Sequence, residues 1–195
     1  NVGLRRRTFS AMLVVLGGDV RQLSALDLNP RRRRAIRGRI TATLGVLPLV
    51  ARRYLQSDPA VDTRVRRRMG ALRTAFVTNN LPRLAAQVKA LVQVFPLQTR
   101  GLIAPDISPD ERAYARHLYQ STCMGCHRFP DKGAARPAPD LFAWARHMAP
   151  VEFLARMIDG VHGTAYTSFN NPLSDAQIAA LYRYFRDTPH AGSKH

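Results

Sequence analysis

Residues 108–127 read SPDERAYARHLYQSTCMGCH. Ser108 and Glu111 have capping-box spacing and Pro109 takes the first helical position, so a helix is expected to begin here and to deliver Cys123 at its end. The closing pentapeptide, Cys123-Met124-Gly125-Cys126-His127, has the Cys-x-x-Cys-His spacing that attaches a c-type haem. Two thiols would join the haem vinyl groups as thioethers, and His127 would turn its imidazole onto the iron. One covalent haem c is therefore the expected cofactor. A structural disulfide, half of a zinc site and a thioredoxin-like dithiol are the plainer readings. Zinc needs two further thiolate or imidazole ligands at suitable spacing, and Cys123 and Cys126 are the only cysteines. A redox dithiol usually follows a strand, whereas Ser108 to Thr122 reads as helix.

Outward from this motif the charge is uneven. Residues 1–105 carry 20 Lys and Arg against 4 Asp and Glu, net +16, and residues 106–195 carry 10 against 9, net +1, which together give the chain's +17. Such a split favours two units with different surfaces and partners. A basic half alone would suggest nucleic acid. The motif's resemblance to those of c-type cytochromes implies haem attachment in the periplasm or an equivalent extracytoplasmic compartment, so no nucleic acid partner is expected. An acidic redox protein, a subunit of a larger complex or an anionic membrane surface is the expected partner, because a field of one sign steers the opposite sign.

Helical signals fill the first half. Asn29 with Pro30 opens a helix whose apolar positions, Ile36, Ile40, Leu44 and Leu47, recur every three or four residues, and Pro48 is expected to kink or end it. A second stripe runs Val61, Val65, Met69, Leu72, Phe76 and a third Leu84, Val88, Leu91, Phe95, with Asn79 and Asn80 as the turn between them. Stripes of this kind mean core packing, so a bundle of three to four helices is expected. Arg31 to Arg34 and Arg66 to Arg68 read either as solvated faces or as a binding surface. Arg5, Arg6 and Arg7 before the apolar run Phe9 to Leu16 look like the start of an export signal, but the run is too short to span a bilayer and no Ala-x-Ala-like site follows. A retained first helix is preferred to a signal remnant or a membrane-surface anchor. Pro96 closes the third stripe. The expected organisation is all-α, with a basic helical domain at 1–96, a linker at 97–107 and a haem domain at 108–195.

From about Ser108 to Asp187 the chain resembles the class I cytochromes c. Ala115 and Tyr119 match the small residue and the aromatic that precede the haem motif, although the small residue is usually glycine. Pro139 and Leu141 match the proline and leucine that follow it. The resemblance implies that the Pro139 carbonyl accepts the other ring N–H of His127. Ser174 with Gln177 opens a closing helix carrying Ile178, Leu181, Tyr184 and Phe185, similar to the family's last helix. A further helix is read at Val151 to Ile158, with Phe153, Leu154, Met157 and Ile158 packing near the haem edge.

The departure is at the sixth iron ligand. The family places a methionine in a pattern near Gly-x-x-Met-Pro-x-Phe, and here Gly163 and Phe169 anchor the sequence Gly-Thr-Ala-Tyr-Thr-Ser-Phe. Tyr166 occupies the methionine slot. A phenolate favours ferric iron and would lower the potential relative to a thioether. The alternatives are an open site or another side chain, His162 first among them. Met148 and Met157 read as core, His117 and His147 as surface, and Trp144 as packing with an N–H able to reach a haem propionate. The expected function is single-electron transfer by a monohaem protein within or beside a redox complex, with no catalytic residue assigned. The alternative is a haem enzyme or small-ligand sensor whose distal site is open or weakly ligated.

Overall fold

The computed structural model describes residues 2–54, 59–103, 106–130, 132–135, 137–162, 168–169 and 171–188. Its helices begin on the signals above. Asn29 Oδ1 accepts from the Arg32 N–H at 2.8 Å, opening α2 (Pro30–Tyr54) behind α1 (Val2–Leu23). Asn79 takes the left-handed conformation (φ 54°) that a tight turn needs, and Asn80 caps the next helix by accepting from the Arg83 N–H. That turn joins α3 (Pro59–Val77) to α4 (Leu81–Val94). Residues Ile36, Ile40, Leu44 and Leu47 of α2, Met69 and Leu72 of α3, and Leu84, Val88 and Leu91 of α4 are all buried in one cluster with α1. Each of the larger side chains contributes about 1.5–3 kcal/mol by leaving water.

Pro48 does not end α2, which continues to Tyr54. A proline inside a helix removes the hydrogen bond to the carbonyl four residues back, here that of Leu44. The Arg73 guanidinium, projecting from α3, donates to that Leu44 oxygen at 3.3 Å. A neighbouring helix thus supplies the missing donor, which is why the expected break is absent.

The second cluster is built on α5 (Pro109–Thr122), α6 (Met124–His127), α7 (Leu141–His147), α8 (Pro150–Asp159) and α9 (Asp175–Asp187). Both capping boxes form, Ser108 with Glu111 and Ser174 with Gln177. Hydrogen bonding at Ser108, first through its backbone, holds the Glu111 carboxyl below its ordinary pKa. Gly160, with φ 94°, ends α8. There follows a short antiparallel ladder of β1 (Val161–His162) and β2 (Ser168–Phe169), pairing Val161 with Phe169 and His162 with Ser168. The fold is otherwise all-α.

Helix α1 joins the two clusters. Phe9, Leu13, Leu16 and Val20 face the bundle, with Phe9 edge-on to Phe95 at 5.3 Å, while Ala11, Val14 and Val15 face Leu97 and Ala155 of α8. A helix that is apolar all round is a buried helix. Among the described residues no helix is long and apolar enough to cross a membrane. The segment after α4 is not a free tether, because Leu97 is buried against α1 and Leu102 in the second cluster.

Candidate haem site

The site grows from the end of α5. Cys123 is its C-cap, donating its backbone N–H to the Tyr119 carbonyl at 2.9 Å, and α6 turns His127 back toward the chain after Pro139. There His127 Nδ1 lies 2.7 Å from the Pro139 carbonyl oxygen. A carbonyl can only accept, so Nδ1 carries the proton and the lone pair is on Nε2. Nε2 has no hydrogen-bond partner among the described residues. Burial lowers the His127 pKa, against the opposing pull of the Pro139 hydrogen bond, and keeps the ring neutral. A neutral imidazole with a fixed tautomer is what an iron ligand needs.

Cys123 and Cys126 are free thiols, the first half-buried and the second exposed. Burial, with Cys126 adding, pushes the Cys123 thiol up to about 11. Behind them stands an aromatic wall. Tyr119 lies edge-on to Phe142 at 5.4 Å and to Phe185 at 5.5 Å, and Phe142 and Phe185 are 5.1 Å apart. Leu141, Trp144, Met148 and Met157 pack on this cluster with part of their surfaces outward. Asp140 caps the start of α7 by accepting from the Phe142 N–H at 2.8 Å and the Ala143 N–H at 3.1 Å.

The structure brings Cys123, Cys126, His127, Pro139 and Leu141 together around the start of α7. His162 and Phe169 are placed by backbone in β1 and β2, on either side of residues 163–167. Tyr166 lies outside the described residues. His117 and His147 are exposed on α5 and α7.

Sequence reasoning missed the groups that hold α8, one wall of this site, against α1. Asp19 is fully buried and its Oδ1 accepts from both terminal nitrogens of Arg156 at 3.2 Å and also from Arg39. Glu152, also buried, accepts from Arg156 at 2.7 Å and from Arg21. The Arg156 guanidinium lies 5.5 Å from the Trp144 ring centroid. Burial lowers the Arg39 pKa, and Asp19 opposes that shift. Gly18 makes room: a Cβ there would overlap the Glu152 carboxylate and the Arg156 guanidinium. A second bridge, Arg7 to Asp175, ties α1 to the start of α9. Arg156 and Glu152 read alone as ordinary surface charges. The usable signal was Asp19, the only acidic residue of α1, three residues beyond the apolar run Phe9 to Leu16.

The family model described as Cytochrome C oxidase, cbb3-type, subunit III matches residues 111–185. That segment is a class I cytochrome c-like domain. Comparison with curated proteins and with solved structures returned no match. The cytochrome domain is of the kind that holds haem c covalently and carries electrons, and such domains generally work outside the cytoplasm. The free thiols, the neutral His127 with its open Nε2 and the part-exposed apolar side chains beside them fit that group.

Proposed function

We propose that the chain is a periplasmic monohaem c-type cytochrome that passes single electrons as a subunit or partner of a larger redox complex. The single observation that carries this reading is the His127 Nδ1 to Pro139 carbonyl hydrogen bond, which presents Nε2 from the motif that holds the thiols. Bound haem supplies one-electron Fe(III)/Fe(II) cycling. Cys123 and Cys126 fasten it, His127 ligates it, Leu141 and the aromatic wall exclude water, and Phe169 is a proposed haem-binding residue on the family pattern alone. The match to an oxidase subunit model supports work within a complex. The basic residues 1–96 form the docking module, residues 97–107 join it to the haem domain at 108–195, and the partner is an acidic redox protein.

Tyr166 is proposed as the sixth ligand, with His162 as the competitor. The test is the ferric optical and EPR spectrum, then the ferrous form with and without carbon monoxide, in wild type and Tyr166→Phe. A six-coordinate ferrous haem indifferent to carbon monoxide, with a ferric spectrum that changes on removing the phenol, is the expected result. An unchanged Tyr166→Phe spectrum that is lost in His162→Ala would transfer the role to His162. A second reading rests on the absence of methionine from its slot: rapid carbon monoxide binding to high-spin iron, the same in both forms, would make the protein a haem enzyme or small-ligand sensor.

A further inference from the structure

We propose that the outward face of α2 is a docking surface for an acidic α-helix of a partner protein. Helix α2 turns Ile36, Ile40, Leu44 and Leu47 into the bundle. At 3.6 residues per turn the opposite line passes through Gly38, Ala42, Gly45 and Leu49, with Val46 beside it. All five are exposed, Val46 by 48% and Leu49 by 63%. Arg37 and Arg39 are turned aside, the first donating to Asn79 and the second to the buried Asp19. In the half of the chain that carries net +16, this line has no charge from Arg34 to Arg52, a span of about 27 Å at 1.5 Å per residue.

Arginines mark both ends. Arg31 and Arg34 precede the uncharged stretch and Arg52 and Arg53 follow it, all four exposed and none ion-paired among the described residues. Charge decides the sign of the occupant. A second copy of this chain, at +17, would set arginine against arginine, whereas a partner with carboxylates about 27 Å apart meets both ends at once. Shape decides its class. A Cβ added at Gly38 or Gly45 would meet nothing within 4 Å, so the line is bare helix surface open to solvent. A lipid surface rewards bulky apolar side chains that insert, and this line offers few. A helix laid along it can bring its backbone close to the small residues while its apolar face covers Val46 and Leu49. Glycine in a helix interior weakens the helix by itself, so close approach gives these glycines a use.

The proposal rests on the docking reading above for the partner's charge. Its test uses the full-length haem-loaded protein and a fluorescent helical peptide of about 20 residues with Ala and Leu along one face and two Glu in each terminal turn. Anisotropy at low salt should report binding. Gly45→Leu, whose Cβ meets no neighbour within 4 Å in the free chain, should weaken it by at least about tenfold. Arg31→Gln with Arg34→Gln should weaken it and flatten its salt dependence, while Arg67→Gln with Arg68→Gln on α3 should change it by less than about twofold. Failure of the peptide to bind, or binding indifferent to Gly45→Leu, overturns the proposal. So does tighter binding to phosphatidylglycerol–phosphatidylcholine vesicles that depends on Leu49. The ferrous spectrum of the same samples reports separately on the electron-carrier reading, so loss of one leaves the other measurable.

Discussion

The arginines on the outward face of α2 and those at the junction of α1 with α8 carry the same charge in opposite surroundings. Arg31, Arg34, Arg52 and Arg53 stand in water, where a like-charged neighbour costs little at moderate salt and a partner can still be chosen. Arg39 and Arg156, with side chains 9% and 10% exposed, are held by the buried carboxylates of Asp19 and Glu152. Exposed charge sets which molecules approach, whereas buried charge sets how two helices must meet, because any other register would strand it. The bundle's basicity is therefore two properties, one facing outward and one built into the contact with the haem domain.

The largest effect should come from taking away the centre of the junction. Asp19→Asn leaves Arg39 and Arg156 buried without the carboxylate that they share, and a stranded buried charge costs about 3–5 kcal/mol. Urea unfolding followed by tryptophan fluorescence should show a lower midpoint at unchanged slope. Trp144, the only tryptophan, lies beside Arg156 and reports on this contact directly. A loss under about 1 kcal/mol would mean that water reaches these groups, and the contrast between the two sets of arginines would fail.

A smaller effect is expected at Gly18. Gly18→Ala forces the Glu152 carboxylate and the Arg156 guanidinium from their places, and overpacking of this kind costs about 1–3 kcal/mol. Combining it with Glu152→Ala should cost less than the sum of the two, since the clash and the bond then disappear together. Strict additivity would show that Gly18 acts on α1 alone.

Local signals were legible in the chain and long-range ones were not. The capping boxes at Ser108 and Ser174, the stripes of α2 to α4 and the route from Cys123 to His127 each depend on residues within a few turns of one another, and spacing encodes them. Even the Pro139 contact, twelve residues from His127, came from a family resemblance rather than from spacing. Arg73 reaching the Leu44 carbonyl overrode the break expected at Pro48, because a donor from another helix has no signature near the proline. The junction was harder still. Asp19 and Arg156 are 137 residues apart, and nothing in the sequence pairs one acid with a particular arginine among thirty basic residues. What could be read was the apolar run Phe9 to Leu16, which covers too much of its helix to face a single neighbour.

The smallest effect belongs to the outer set. Arg31→Gln with Arg34→Gln removes two exposed charges without ion-pair partners among the described residues, so stability at physiological salt should stay within about 0.5 kcal/mol of wild type. At low salt the double variant should become the more stable of the two, because screening no longer hides the repulsion within the bundle. Unfolding midpoints at about 10 mM and 500 mM salt decide this. A midpoint that falls at both salts would give these arginines a structural duty like that of Arg39, and the distinction between outward and buried basicity would have to be redrawn around α2 rather than around the junction.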